Sequence, residues 1–92
     1  MIRSFRDKEA EVLLSGHPSR RLQNVARVAQ RKLQQLNAAH QLRDLNAFPG
    51  NRLEPLAGRR RGQHSIRING QYRICFVWRD GDAYEVEIVD YH

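Results

Sequence analysis

The sequence has one cysteine, one tryptophan and no long apolar run. With Cys75 alone, neither an internal disulfide nor a zinc site of paired cysteines can form, which agrees with a reducing compartment. No apolar stretch approaches the ~20 residues that span a bilayer. The opening MIRSFRDK lacks the apolar centre of a signal peptide. A cytoplasmic location with no membrane partner is therefore expected. Several chemical signatures are missing too: no Walker-type phosphate loop, no HExxH, no Gly-x-Ser-x-Gly. His17, His40 and His64 stand isolated and read as surface or packing residues. No cofactor and no metal site are expected.

What is present is arginine. The 92 residues carry 16 basic and 10 acidic side chains, for a net charge of +6. Only Lys8 and Lys32 are lysines, so 14 of the 16 are Arg. Arg presents a planar fork that binds phosphate bidentately, whereas Lys acts as a point charge. The bias favours a nucleic-acid partner, and an acidic protein also fits. The length suits one domain over residues 1–92, and a hydrophobic content of 40% is enough to fold it. Cys75 lies within an apolar strand pattern and reads as a small core residue.

Along the chain, residues 2–5 suit a short strand. Asp7 suits the cap of a helix whose apolar end is Val12, Leu13 and Leu14, stopped by Ser15-Gly16 and Pro18. Ser19 is a good cap for a second helix. Leu22, Val25, Ala26, Ala29, Leu33 and Leu36 recur at helical spacing, with Arg20, Arg27, Arg31 and Lys32 on the opposite face. Asn37 can end it and cap a short third helix reaching Leu42 and Leu45. Residues 46–63 are rich in Gly, Pro and Arg and read as a long loop, the kind that is often functional. The period then changes to two. His64 to Ile68 and Gln71 to Trp78 form a hairpin, with Asn69-Gly70 expected as its type I′ turn. Arg79 to Asp82 is a second turn, and Ala83 to Tyr91 a last strand. The fold class is α+β: a short N-terminal strand and two or three helices on one face of an antiparallel sheet.

Strand alternation puts Ile74, Phe76 and Trp78 on the helix-covered side and Arg73, Cys75 and Val77 on the other. Arg67 alternates the same way in the preceding strand. The sequence closes on Asp90-Tyr91-His92, an acid, a phenol and an imidazole directly after the apolar run Val86 to Val89. Asp90 and His92 share one parity and Tyr91 has the other. A concave site made of Arg73, the loop Arg59, Arg60 and Arg61, and the C-terminal triplet is geometrically reasonable. These are the minimum parts for cleaving RNA: groups that move protons, and cations for the charge that builds on phosphorus. RNA supplies its own nucleophile, the 2′-OH. The opposite readings are a polar tail at the strand end and a solvated arginine patch.

The chain resembles HigB-type toxins of the RelE superfamily, near the HigB/GraT branch. The matching stretches are MIRSF, AxRKLxxLNAAxxLRDL at 29–45, PGNRLEPLAG at 49–58, GQHSIRINGQYRICFVW at 62–78 and VEIVDYH at 86–92. The resemblance implies a compact α+β toxin of a type II toxin–antitoxin system that enters the ribosome and cuts mRNA during translation, without a metal. It implies a HigA-type antitoxin with a helix-turn-helix domain, and a complex that contacts operator DNA through the antitoxin and represses its own operon. It places the catalytic set on Asp90, Tyr91, His92 and Arg73. Arg59, Arg60, Arg61, Arg67, Arg27, Arg31 and Lys32 are the expected contacts to the 70S ribosome and RNA. Glu54 and Ala57 stand where the family can carry a His and a Lys, so a slow toxin is expected. Two other readings stay open: a non-catalytic toxin of the same fold that poisons gyrase, and an inactive co-repressor.

Overall fold

The computed structural model describes residues 1–91. Helix α1 spans Lys8–Leu14 and helix α2 spans Ala26–Ala38. Four strands follow: β1 Glu54–Pro55, β2 His64–Arg67, β3 Tyr72–Arg79 and β4 Asp82–Asp90. They form an antiparallel sheet in the order β1-β2-β3-β4. The α+β class expected from the alternation of periods is the class observed.

The N-terminal segment extends that sheet by isolated bridges. Ile2 and Phe5 run parallel to β4, opposite Ala83 and Val86. The Arg3 N–H donates to the Ala83 carbonyl at 2.8 Å and the Val86 N–H to the Ser4 carbonyl at 3.1 Å. The segment covers an edge that would otherwise present unpaired backbone groups. The N-terminal ammonium and the Arg3 guanidinium both pair with Asp82, at 3.0 and 3.1 Å.

Asp7 caps α1 as expected, its Oδ1 accepting from the Glu9 N–H at 2.8 Å. Ser19 does not cap α2. Its hydroxyl donates to Glu9 Oε2 at 2.5 Å and ties the inter-helix segment to α1. Residues 21–25 stay in turns that bury Leu22, and the helix starts only at Ala26. The helix then runs past Asn37, whose Oδ1 accepts from the Ile2 N–H at 2.9 Å and docks the N-terminal segment. In place of a third α-helix there is a 3-10 segment, Leu42–Ala47. It begins with a capping box in which Asp44 Oδ2 accepts from the Gln41 N–H at 2.9 Å.

Both hairpin turns lie where expected, but the first is not of the type that Asn69-Gly70 suggested. Neither Asn69 nor Gly70 has a positive φ. The turn is closed by the Asn69 side chain, whose Oδ1 accepts from the N–H groups of Gln71 (2.9 Å) and Tyr72 (2.7 Å). An Asx turn of this kind needs no left-handed residue. The type I′ geometry sits at the second turn, where Asp80 (φ 52°) and Gly81 (φ 82°) link Arg79 to its partner Asp82. In β4, Glu85 has φ 53° and marks a bulge: the register shifts by one between the pairs Cys75–Glu87 and Val77–Tyr84.

The helices cover one face of the sheet. Ala10 and Leu13 of α1, and Ala29, Leu33 and Leu36 of α2, pack with Leu22 and Leu45 on Ile66, Ile74, Phe76, Val86 and Ile88. Ten of these twelve are at most 1% exposed; Leu13 is 2% and Ile88 4% exposed. Burial on this scale contributes roughly 1.5–3 kcal/mol per large side chain, so this face holds the fold together.

Candidate functional site

The other face carries the polar chemistry. The register sets Glu54 beside Ser65, Ser65 beside Cys75, Arg67 beside Arg73, Arg73 beside Val89 and Cys75 beside Glu87. Since side chains alternate along a strand, all of these project to the side opposite Ile74 and Phe76. This face is not simply open. Ser65 and Cys75 are fully buried and Arg73 is 8% exposed, because the segment from Asn51 to Gln63 lies against them. Asn51 anchors that segment. Its amide donates to the Leu45 carbonyl at 3.0 Å and to Gln35 Oε1 at 3.2 Å, and its own carbonyl accepts from the Arg67 N–H at 2.6 Å.

Arg73 is the centre of the arrangement. Its Nε donates to Ser65 Oγ at 2.7 Å and its Nη2 to the Arg52 carbonyl at 2.8 Å. Glu54 Oε1 lies 2.9 Å from the same Nη2. Arg52 offers its carbonyl from a left-handed conformation (φ 46°). The guanidinium carbon is 5.9 Å from the centre of the Tyr91 ring, within cation–π range. Tyr91 is held there by its backbone N–H, which donates to the Gln71 carbonyl at 2.6 Å, and its side chain stays exposed.

Arg60 is the second cation on this face. Its Nη1 donates to Glu87 Oε2 and Gln63 Oε1, both at 3.1 Å. The hydrogen bond that it donates to Glu87 holds the Arg60 guanidinium more firmly charged than usual, burial opposes this, and Cys75 and Tyr91 are close enough to add to it. Burial pushes the Cys75 thiol up; Arg60 and Arg73 pull it down and Glu87 pushes it up. A thiol so placed is protonated and acts as a packing residue, in line with its reading from sequence.

The structure thus brings Arg73, Tyr91 and Arg60 together. Asp90 pairs with Tyr72 at the opposite parity, and its carboxylate accepts from the Gln71 amide at 3.0 Å. Asp90 therefore flanks the Arg73 face from the strand end and does not project into it. His92 lies outside the described residues. Arg59 and Arg61 are exposed on the 3-10 segment Gly58–Arg60 and its end, beside the site. Arg67 shares the Arg73 face and its Nε donates to the Asn69 carbonyl at 3.1 Å, so it also braces the hairpin turn.

Arg27 and Arg31 are exposed on α2 as expected. Lys32 is not: it is 6% exposed, and its ammonium donates to the Arg67 carbonyl at 2.6 Å. Lys32 thus ties α2 to Arg67, the last residue of β2, instead of joining the outer basic face. Burial lowers its pKa, and Arg31, Arg67 and Arg73 lower it further. Sequence reasoning missed Glu54, Ser65, Gln63 and Glu87 as partners of the two arginines. Glu87 carried a signal, an acid in the middle of the apolar run of β4 at the parity of Val89. Glu54 carried none, since its pairing depends on how the loop folds back. Among the described residues no three of His, Cys, Asp and Glu gather so as to hold a metal ion, and no helix is long and apolar enough to cross a membrane.

Comparison with known proteins adds to this geometry. Residues 3–92 match the model of the HigB-like toxin family, described as RelE-like toxins of the type II toxin–antitoxin system HigB. The chain is 41% identical over 85 residues to Toxin HigB-1 of Vibrio cholerae, covering 90% of both chains. It is 37% identical over 97 residues to Endoribonuclease HigB of Proteus vulgaris, covering the whole of both. An uncharacterized protein of Haemophilus influenzae is 34% identical over 65% of this chain and 59% of its own. With the family model covering nearly every residue, the protein belongs to the HigB-like family of RelE-like toxins.

Proposed function

We propose that this protein is a ribosome-dependent mRNA endoribonuclease, the toxin of a type II pair that arrests translation. The observation that carries this reading is the meeting of Arg73, Tyr91 and Arg60 on one sheet face at the base of the C-terminal triplet. The similarity to a protein named Endoribonuclease HigB supports it. The scissile phosphate would lie against Arg73, which stabilises the charge that develops on the phosphoryl oxygens. Tyr91, exposed beside it, stacks on a base or shares in proton transfer. His92 and Asp90 exchange protons with the 2′-OH and the leaving 5′-oxygen. No metal or cofactor takes part in this scheme.

Membership of a toxin–antitoxin family implies an antitoxin partner. We take that partner to be of HigA type, with operator DNA bound only through the complex. Arg59, Arg61, Arg27 and Arg31 are exposed and suit the phosphates of ribosomal RNA, so ribosome binding should weaken steeply with salt. The test is expression without antitoxin. Wild type should arrest growth, and His92→Gln should not, while keeping its fold and its antitoxin affinity. Equal toxicity of the variant would overturn the reading.

A further inference from the structure

We propose that Glu54 sets the strength of the Arg73 anion seat by occupying it, so that its carboxylate competes with the substrate phosphate. This deepens the reading of the site as one that binds an RNA phosphate, and it rests on that reading. The observation is an asymmetric ion pair. Arg73 is fixed: its side chain is 10% exposed, Nε is tied to Ser65 Oγ and Nη2 to the Arg52 carbonyl. Glu54 is not. Its side chain is 53% exposed, and it stands on β1, a two-residue strand at the sheet edge. A buried cation thus faces a carboxylate that solvent can draw away.

The consequence follows from the donor inventory. A guanidinium binds phosphate best through two parallel N–H groups. On Arg73 the Nε hydrogen is taken by Ser65, and Nη2 already meets the Arg52 carbonyl and Glu54. Among the described residues Nη1 has no hydrogen-bond partner. With Glu54 in place, a phosphate meets a cation whose charge is already matched and a carboxylate that repels it. With Glu54 swung into solvent, Nη1 and Nη2 present a two-pronged seat. The neighbouring cation carries the same device in a tighter form: Glu87, more buried than Glu54, hydrogen-bonds Arg60. Glu54 is therefore the exchangeable member of the two acid–arginine pairs.

The experiment measures binding of a 2′-O-methyl oligoribonucleotide, which cannot be cut, beside cleavage of a translated mRNA. Glu54→Gln should bind the oligonucleotide roughly threefold to tenfold more tightly and raise kcat/KM for cleavage by a similar factor. Glu11→Gln, the same charge change on exposed α1, is the control for net charge and should do neither. The gain should vanish in the Arg73→Met background, since the effect runs through that guanidinium. If Arg73→Met does not fold, the 15N resonances of the Arg73 side chain in Glu54→Gln give the same answer, shifting at lower oligonucleotide concentration than in wild type. A gain no larger than that of Glu11→Gln, or one that survives Arg73→Met, overturns the proposal. Tighter binding by Glu54→Gln with no cleavage by any form would leave the Arg73 seat standing and overturn the nuclease reading. Cleavage by wild type with binding unmoved by Glu54→Gln would do the reverse.

Discussion

The two faces of the same sheet are held by different physics. On the helix side, Ile66, Ile74, Phe76 and Val86 are fully buried against α1 and α2, and contact is non-directional. On the other side, Ser65, Arg73 and Cys75 are almost as buried, yet Arg73 is held by directed bonds to Ser65 Oγ and the Arg52 carbonyl and by an ion pair with Glu54. The first face tolerates any side chain of the right volume and hydropathy. The second needs particular atoms at particular distances, because an unpaired buried charge is far more costly than a missing methyl group. Stability is concentrated on one side of the sheet, and the candidate chemistry on the other.

Substitutions that strike one face and spare the other test that division. The largest effect on folding is expected from Phe76→Ala, which empties the centre of the apolar side. It should cost about 3–5 kcal/mol in urea unfolding and abolish activity only by unfolding the chain. Arg73→Met is the counterpart. It leaves Ser65 Oγ and the Arg52 carbonyl without their donor, a cost of about 1–3 kcal/mol. Cleavage should fall by roughly 10²–10³-fold, as when a transition-state donor is removed. If Arg73→Met instead lost activity only in proportion to unfolding, the two faces would not differ in kind.

A smaller effect separates the two turns. Gly81→Ala forces a side chain into φ 82° and should destabilise by about 1 kcal/mol. Gly70→Ala, at negative φ with its nearest side-chain atom at 3.9 Å, should be close to neutral. Chemical denaturation of the pair checks this. The smallest effect is on acid stability. Glu9 is held below its ordinary range first by the Ser19 hydroxyl and then by Arg21, Asp44 by the backbone N–H groups of Gln41 and His40, and Asp82 by the N-terminus and Arg3. Each binds fewer protons folded than unfolded, so its contribution is complete above the ordinary carboxylate range and is lost as pH falls through and below it. The urea midpoint should be flat near neutrality and drop on acidification, and Asp44→Asn should flatten that drop.

The same division explains what was legible in the sequence. Periodicity reports burial against a neighbouring layer, so the helix face of α2, the three long strands and the alternation of β3 could be read directly. Directed contacts between distant segments leave no period. Lys32 sat in the basic pattern of α2 yet turns to the Arg67 carbonyl. Asn69-Gly70 has the composition of a type I′ turn, but the Asn69 side chain closes the loop without it. Ser19 is a good cap whose hydroxyl is bound to Glu9. Arg73 and Tyr91, which the structure brings together, stood out as candidates by residue type and parity. That Tyr91 shares the Arg73 face, with Asp90 beside Tyr72 at the opposite parity, follows from the register of β3 and β4. The Glu54 contact follows only from the fold of the loop, and no linear pattern encodes it.

The most direct test of the account is to map 5′ ends on a defined mRNA, with and without translating ribosomes, for wild type, Arg73→Met and His92→Gln. Cuts by wild type are expected only when ribosomes translate, with those of folded Arg73→Met reduced roughly 10²–10³-fold and none by folded His92→Gln. Cuts by folded Arg73→Met at the wild-type rate would contradict it, as would the absence of cuts from wild type itself.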